Sequence, residues 1–330
     1  MNFDIVTFGS ATQDIFVQSK KLKIIESREF QTGKALAVGA GEKVYVEELV
    51  FASGGGGTNT AATFALQGLG VYYVGMVGND LAGKNILKDL HQLGVGPDFV
   101  KITNKSNTPV SIILSVPGGE RSILVYEGAS HLLAGEDVPW EKIKNARWFY
   151  VSGLSGESSK VFPEIINFAK ENNIKVAVNP GHDQLEKDLE ILESLLEKID
   201  ILIVNSEEAS IITGIDYKKE EEVFKKFDEL VPGIAVMTKG KEGVAVSDGK
   251  NICRAGIPES GYLDRTGAGD AFASGFVSAI INGESIEFAI QFATANATSC
   301  VQKLGAKNGL LKKAEWGKWE RVEVKKSSVK

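Results

Sequence analysis

Short runs of β-branched and aromatic residues alternate along this chain with longer stretches of helical periodicity, and few folds accommodate that rhythm. The run Phe3 to Phe8 comes first and helical spacing follows near Thr60 to Leu69. Further strands are expected at Tyr72 to Val77, Trp148 to Ser152, Lys175 to Asn179, Ile201 to Asn205 and Ile234 to Thr238. Helices are expected between them near Leu81 to Leu93, Lys160 to Asn172, Asp188 to Lys198 and Glu220 to Leu230. Asp80 is placed to cap the first of these helices and Gly94 to end it. Later, Asp248-Gly249 joins two strands, Gly267 to Ile281 and Ser285 to Leu304 read as helices, and the final KKSSVK reads as frayed. Repeated strand, helix, strand order makes βαβ units, which assemble into a parallel sheet covered on both faces. The expected class is α/β, a doubly wound, mostly parallel sheet in a single domain over 1–330.

The rhythm breaks over about 19–53 and 108–129, where strand-like runs follow one another without helices. The second break reads SIILSVPGGERSILVY, two strands about a Pro-Gly-Gly turn. Antiparallel strands inserted into a doubly wound domain must pack somewhere, and a small β-sheet lid over the ligand end of the main sheet is the expected place.

The 330 residues are 43% hydrophobic, enough to fill a sizeable core. A formal net charge of -6 argues against a general nucleic-acid binder, which would carry a basic stripe, so any anion site must be local. Cys253 and Cys300 are the only cysteines, too few for a disulfide framework or a zinc-ligand pattern. MNFDIVTFGS lacks the basic start and apolar run of a signal peptide, and no apolar run approaches the roughly 20 residues of a membrane span. A cytoplasmic protein with neither nucleic-acid nor membrane partners is expected.

The most informative stretch is DRTGAGDAFASGF, Asp264 to Phe276, where Gly267 and Gly269 flank Ala268 directly before an apolar helix. Glycines permit a tight turn whose amides point one way, and the helix dipole adds positive charge there, so the segment is a candidate anion cradle. Asp270 falls in the first turn of that helix, where a carboxylate is stabilised and a base would meet a bound phosphate. A glycine-rich loop with an acidic helix start would look the same. In VNSEEAS, Asn205 and Glu208 stand three apart after an apolar strand and can face one cleft as oxygen groups suited to hydrated magnesium, or can simply begin a helix. TKGKEGV, Thr238 to Val244, supplies a turn whose Gly240 and Gly243 let backbone approach a ligand. After the first strand, GSATQD puts Asp14 near the carboxyl edge of the sheet, where open α/β folds bind ligands.

DRTGAGD resembles the carboxyl-terminal signature of the ribokinase-like (PfkB) carbohydrate kinase family, D-[TS]-[TV]-G-A-G-D, with only Arg265 departing. GGGGTNTAATFALQGLG at Gly54 to Gly70 resembles the amino-terminal signature, so the likeness covers nearly the whole chain in the expected order. The resemblance implies an ATP-dependent, magnesium-dependent kinase that phosphorylates a hydroxymethyl group of a sugar. Asp270 would take the acceptor proton and the amides of Gly267, Ala268 and Gly269 would hold the transferring phosphoryl group. It also implies acceptor binding by Asp14, Gly55, Gly56 and Asn59 and nucleotide binding by Thr238, Gly240, Gly243 and Asn296. Asn205 and Glu208 would organise magnesium through water, and Asp264, Cys300 and Gly305 would border a potassium site. Ribokinases commonly carry Lys where Gly56 stands, and Asn59 to Ala61 also occurs among nucleoside-directed members. A ribonucleoside kinase and a non-catalytic sugar-binding regulator therefore stand as alternatives, the latter opposed by the intact Asp270. Phe16 and Tyr126 are candidates to stack on a base or simply to pack in the core or lid, and Arg121 and Arg265 to meet an acceptor that is already phosphorylated. An exposed lid edge or face would favour a homodimer.

Two near-motifs fail. Gly78 to Asn85 nearly spells a phosphate-binding loop but ends in Asn rather than a hydroxyl, with Lys84 inside a predicted helix. Gly39 to Val44 begins like a dinucleotide fingerprint and lacks the helix that must follow. His91, His131 and His182 are scattered, without a serine elbow or metal spacing.

Overall fold

A computed structural model describes residues 3–30, 32–117 and 121–329. Its large sheet runs, in spatial order, through Val324–Ser328, Asn251–Ala255, Val244–Ser247, Ile234–Thr238, Ile201–Asn205, Lys175–Asn179, Trp148–Ser152, Ile5–Phe8, Val71–Gly78 and Val95–Gly96. Pairing is parallel from Val95–Gly96 across to Ile234–Thr238, and antiparallel through the last three strands. Every residue of Ile5–Phe8 and Trp148–Ser152 is buried, as a sheet covered on both faces requires. Successive side chains divide between the faces. Val6 and Phe8 join a cluster with Phe149 on one side, while Ile5 joins Tyr73, Tyr150 and Phe64 on the other. Edge-on ring pairs at 5.1 Å for Phe8 and Phe149 and 5.4 Å for Phe64 and Tyr150 close the two layers near the centre.

The chain winds outward in both directions from Ile5–Phe8, to Val71–Gly78 on one side and Trp148–Ser152 on the other. Such a reversal opens a crevice at the carboxyl ends of the central strands. Over that edge stands a second sheet, Arg121–Tyr126, Val110–Ser115, Thr12–Gln18 and Glu48–Gly54, with a separate hairpin of Lys23–Glu26 and Lys34–Ala37. This small sheet begins earlier than the insertion point at residue 19, because Thr12–Gln18 pairs with both Glu48–Gly54 and Val110–Ser115. The expected turn at Gly118-Gly119 lies outside the described residues. The expectation of a frayed end is corrected: Val324–Ser328 hydrogen-bonds along Asn251–Ala255 and occupies a sheet edge that would otherwise be open. No helix among the described residues is long and apolar enough to cross a membrane.

Asp80 ties the helix Leu81–Gln92 to the start of the lid hairpin. One carboxylate oxygen accepts from Gly83 N at 2.8 Å and Thr108 Oγ1 at 2.7 Å, the other from Thr108 N at 2.7 Å. Asp80→Ala removes a helix cap and leaves the fully buried Thr108 amide without its partner, so thermal unfolding should report a loss of about 1–3 kcal/mol. An unchanged melting temperature would show that the lid is anchored elsewhere.

Candidate active site

The site is built on a glycine turn folded against the end of the first strand. Gly55 has φ 95°, and a β-carbon there would stand 2.5 Å from the Ser10 carbonyl oxygen, so only glycine fits. Gly56 N donates to Ser10 Oγ at 3.2 Å, Ser152 Oγ donates to Phe8 O at 2.9 Å, and the Tyr73 hydroxyl donates to Gly9 O at 2.8 Å. These contacts fix the start of the helix Gly56–Leu66 and aim Asn59, whose Nδ2 donates to Asp270 Oδ2 at 2.8 Å. The other oxygen of Asp270 faces Gly56, 3.7 Å from where a β-carbon would sit. Asp14, 5% exposed on the lid strand, lies so close to Gly54 that a β-carbon there would stand 2.1 Å from its Oδ2. Asp14, Gly55, Gly56 and Asn59 are thus gathered at Asp270.

Burial raises both carboxyls. Asp14 is lifted to about 6, with Lys307 opposing the shift, and Asp270 is raised against the opposing effects of its Asn59 hydrogen bond and the Lys307 charge. A carboxylate with a raised pKa in a cleft is a better proton acceptor near neutrality than a solvated one. Asp270 stands in the first turn of Ala268–Ile281, which begins at Gly267 with φ 77°. A β-carbon at Gly267 would lie 2.3 Å from Ala306 Cβ, whereas nothing stands within 4 Å of that position at Gly269. One glycine therefore packs the loop down, and the other leaves its outer face open to a ligand. The Ala268 amide is drawn into a turn onto Arg265 O at 3.2 Å.

Asp264 is 7% exposed and its two oxygens differ: Oδ1 accepts from Arg121 of the lid and from Thr266 Oγ1 at 3.0 Å, while Oδ2 is buried without a partner. The Cys300 thiol, pushed up to about 12 by burial, keeps its proton and donates to Ala306 O at 3.3 Å, and Gly305 is buried nearby at φ 84°. Arg265 stacks on Tyr262 with its guanidinium carbon 4.2 Å from the ring centroid and bonds the hydroxyl at 2.8 Å. Both arginines considered for a phosphorylated acceptor are therefore engaged by protein groups.

Along the same edge, Asn205 pairs in register with Thr238, and Ser206, Lys239 and Gly240 join them around a cavity of about 330 Å³. Asn205 Oδ1 accepts from the amides of Glu207 and Glu208 at 2.9 Å each, and Glu208 Oε2 accepts from Asn205 N at 2.8 Å. This reciprocal cap consumes Asn205 Oδ1 and leaves the pair's cation-binding capacity with the Glu208 carboxylate, which burial raises. Gly243 serves the hairpin, since a β-carbon there would lie 2.0 Å from Ala255 O. Asn296 departs from its expected place beside a nucleotide: it is fully buried, with Nδ2 bonded to Ala271 O and Oδ1 to Leu311 N, both at 2.8 Å. Phe16, itself on the lid strand Thr12–Gln18, is buried, and Tyr126 instead bonds Ser106 at 3.0 Å on an exposed face.

Several residues at this edge were not singled out in the sequence. A cavity of about 1000 Å³ is walled by Lys239, Glu242, Arg254, Gln302 and the carboxyl-terminal Lys318 and Trp319. Lys307 reaches Ser53 and Thr58 at the glycine turn, and Ser10 and Ser152 brace it. A long-range contact leaves no local signal, so spacing gave no access to them.

Residues 4–313 match the profile described as pfkB family carbohydrate kinase. A ribokinase of Arabidopsis thaliana is 30% identical over 315 residues, spanning 92% of this chain and 77% of that protein. A nucleoside kinase of Methanothermobacter thermautotrophicus is 26% identical, spanning 78% of this chain and 81% of its own. The structure of Arabidopsis thaliana ribokinase complexed with ribose and ATP superposes with a TM-score of 0.76 at 26% identity, covering 94% of this chain and 96% of that one.

The Asp14 shift gives a pH test. Any activity that needs ionised Asp14 should be flat above about 6 and fall as pH drops through that value. Stability runs the other way, because the folded chain holds the Asp14 proton more tightly than the unfolded chain: protonation favours the fold between about 6 and the ordinary 3.8. An activity profile flat down to about pH 4, the range of an ordinary carboxyl, would remove Asp14 from the site.

Proposed function

Because the chain belongs to the pfkB family of carbohydrate kinases and is a kinase, we propose that it transfers the γ-phosphoryl group of ATP to a hydroxymethyl group of a sugar in the cytoplasm. The observation that carries this reading is the meeting of Asp270 with Asn59 at the Gly267 to Gly269 turn, which is open at Gly269, with Asp14 on the lid strand at the same crevice. Asp270 accepts the proton of the attacking hydroxyl as the new phosphorus–oxygen bond forms. Asp14 takes hydrogen bonds from neighbouring sugar hydroxyls and fixes which oxygen is presented. The amides of Gly267 and Gly269, at the positive end of a helix, receive the charge of the phosphoryl oxygens. Positioning and charge stabilisation of this kind are most of what phosphoryl transfer asks of a protein.

The nucleotide is assigned to the cleft bounded by Thr238, Gly240 and the wall that carries Trp319. Bound magnesium would supply charge neutralisation between the phosphates, with the Glu208 carboxylate reaching it through water. No cluster of three or more His, Cys, Asp or Glu able to hold a metal occurs among the described residues, which suits a cation held mainly by phosphate. The buried, unpartnered Asp264 Oδ2, on a residue whose amide bonds Val301 O next to Cys300, fits a monovalent cation such as potassium.

A nucleoside is the second reading, favoured by a cavity of about 580 Å³ along the lid, lined by Phe16, Ile113, Tyr262, Leu263 and Asp264. Asp14 and Phe16 share one face of their strand, so a sugar on the first would carry its base toward the second. The opposite lid face exposes Leu49, Phe51, Leu124 and Tyr126, and a second copy of the chain is the partner that would cover it.

The test is release of ADP from magnesium and ATP over a panel of sugars, nucleosides and sugar phosphates. Asp270→Asn should slow turnover by about 10²- to 10⁴-fold while nucleotide binding holds. Undiminished turnover in that variant would refute the assigned base.

A further inference from the structure

Lys307 lies in the loop after the helix Ile286–Cys300, far in sequence from the glycine turn it contacts. Its Nζ donates to Ser53 Oγ at 2.9 Å and Thr58 Oγ1 at 2.8 Å, the two hydroxyls that stand on either side of Gly54 to Gly57. Thr58 Oγ1 passes the contact on, donating to Gly54 O at 2.6 Å. Ser53 is 6% exposed and Thr58 fully buried, so the ammonium is clamped in the floor of the turn rather than lying over it. The residues shaped by that floor are those of the site: Gly54 against Asp14, Gly56 facing Asp270, and Asn59 bonded to Asp270.

An ammonium held by two neutral hydroxyls and largely withdrawn from water is unfavourable unless nearby negative charge offsets its desolvation. No carboxylate forms an ion pair with Lys307 at contact distance among the described residues. The charges that act on it are Asp14, Asp270 and, from the helix Leu81–Gln92, Asp89. Two of these three are the acceptor carboxylate and the base. The lysine and the two acids therefore compensate one another across the glycine turn without touching.

We propose that Lys307 is a positioning residue for the acceptor: its ammonium staples Ser53 to Thr58 beneath the glycine turn and offsets the negative charge of Asp14 and Asp270, so that both carboxylates stay aimed at one hydroxyl-bearing substrate. The proposal rests on the kinase reading above. In this role Lys307 acts through Gly54, Asn59 and the two acids rather than on the reacting atoms. Because Lys307 lines neither part of the cleft assigned to the nucleotide, loss of the lysine should bear on the acceptor and spare ATP.

Lys307→Met keeps the length of the side chain without charge or donor, and Lys307→Gln keeps a donor without charge. Both are compared with the wild-type chain for kcat, KM of the acceptor found in the panel and KM of ATP, with thermal melting as the folding control. Lys307→Met should lower kcat/KM for the acceptor about 10- to 100-fold, the scale on which small displacements of a reactant act, with KM for ATP unchanged. Lys307→Gln should fall between it and the wild type. A Lys307→Met enzyme equal to wild type toward the acceptor overturns the proposal. So does a variant in which activity, acceptor affinity and ATP affinity decline together with the folded fraction. If the Met variant does not fold, the Gln variant decides by the same comparison. A wild type silent across the panel strikes the kinase reading and this inference with it, whereas an active wild type beside an unimpaired variant strikes only the lysine.

Discussion

Carboxylates withdrawn from water at one sheet edge impose the constraint from which the rest of this architecture follows. Asp14, Asp264 and Asp270 converge there, and burial is the largest influence on Asp14 and Asp270, both of which are raised. Uncompensated, such a group would become protonated or open the structure to water. The chain instead surrounds them with directed donors: Asn59 on Asp270, Arg121 and Thr266 on Asp264, and the Lys307 charge within reach of Asp14 and Asp270. Compensation remains incomplete, since Asp264 Oδ2 has no partner among the described residues and burial still lifts Asp14 to about 6. A site finished to neutrality would have nothing left with which to attract a hydroxyl or a cation.

The same compensation couples the two sheets. Asp14 belongs to the lid strand that pairs with Glu48–Gly54, and the last residue of that partner strand begins the glycine turn. Arg121 belongs to the lid hairpin yet bonds the loop that leads into the Asp270 helix. The charges that position the site are therefore shared between lid and sheet, and moving one sheet against the other must break them. Asp80, bonded to both the helix cap and Thr108, makes the opposite end of the lid hairpin a fixed point about which such motion would turn. That division into a fixed base and a charge-latched mouth is what a water-excluding cover over phosphoryl transfer requires.

How much of this was legible in the sequence depended on distance along the chain. The strands Trp148–Ser152, Lys175–Asn179, Ile201–Asn205 and Ile234–Thr238 were found at their observed limits, because a buried parallel strand writes itself as an unbroken apolar run. The glycine turns were legible because left-handed and close-approach positions admit little else. The start of the lid was misplaced, since Thr12–Gln18 continues directly from the first strand after a three-residue break, and nothing local distinguishes which sheet it joins. Asn296 was misread for a related reason: an amide that satisfies two buried backbone groups has the same sequence appearance as one that faces a ligand. Lys307 and Trp319 gave no signal, because their significance lies in partners more than two hundred residues away or in a cavity wall.

The carboxyl-terminal strand shows how a stretch that looks dispensable can be recruited. KKSSVK is short, basic and polar, without the apolar alternation that marks a half-buried strand. Its first four residues, Lys325 to Ser328, pair nonetheless, because Asn251–Ala255 offers an unpaired edge and backbone hydrogen bonding does not depend on side-chain identity. Its lysines then serve the edge, since charged side chains on an outer strand oppose further pairing with other chains. Lys326 bonds Glu287 at 3.0 Å and pins the strand to the helix Ile286–Cys300, the helix that also holds Asn296. The segment between that helix and the final strand is thereby held at both ends, and the turn carrying Lys318 and Trp319 is drawn across the large cleft beside Lys239 and Glu242. An edge closed for stability thus supplies one wall of the cleft assigned to the nucleotide.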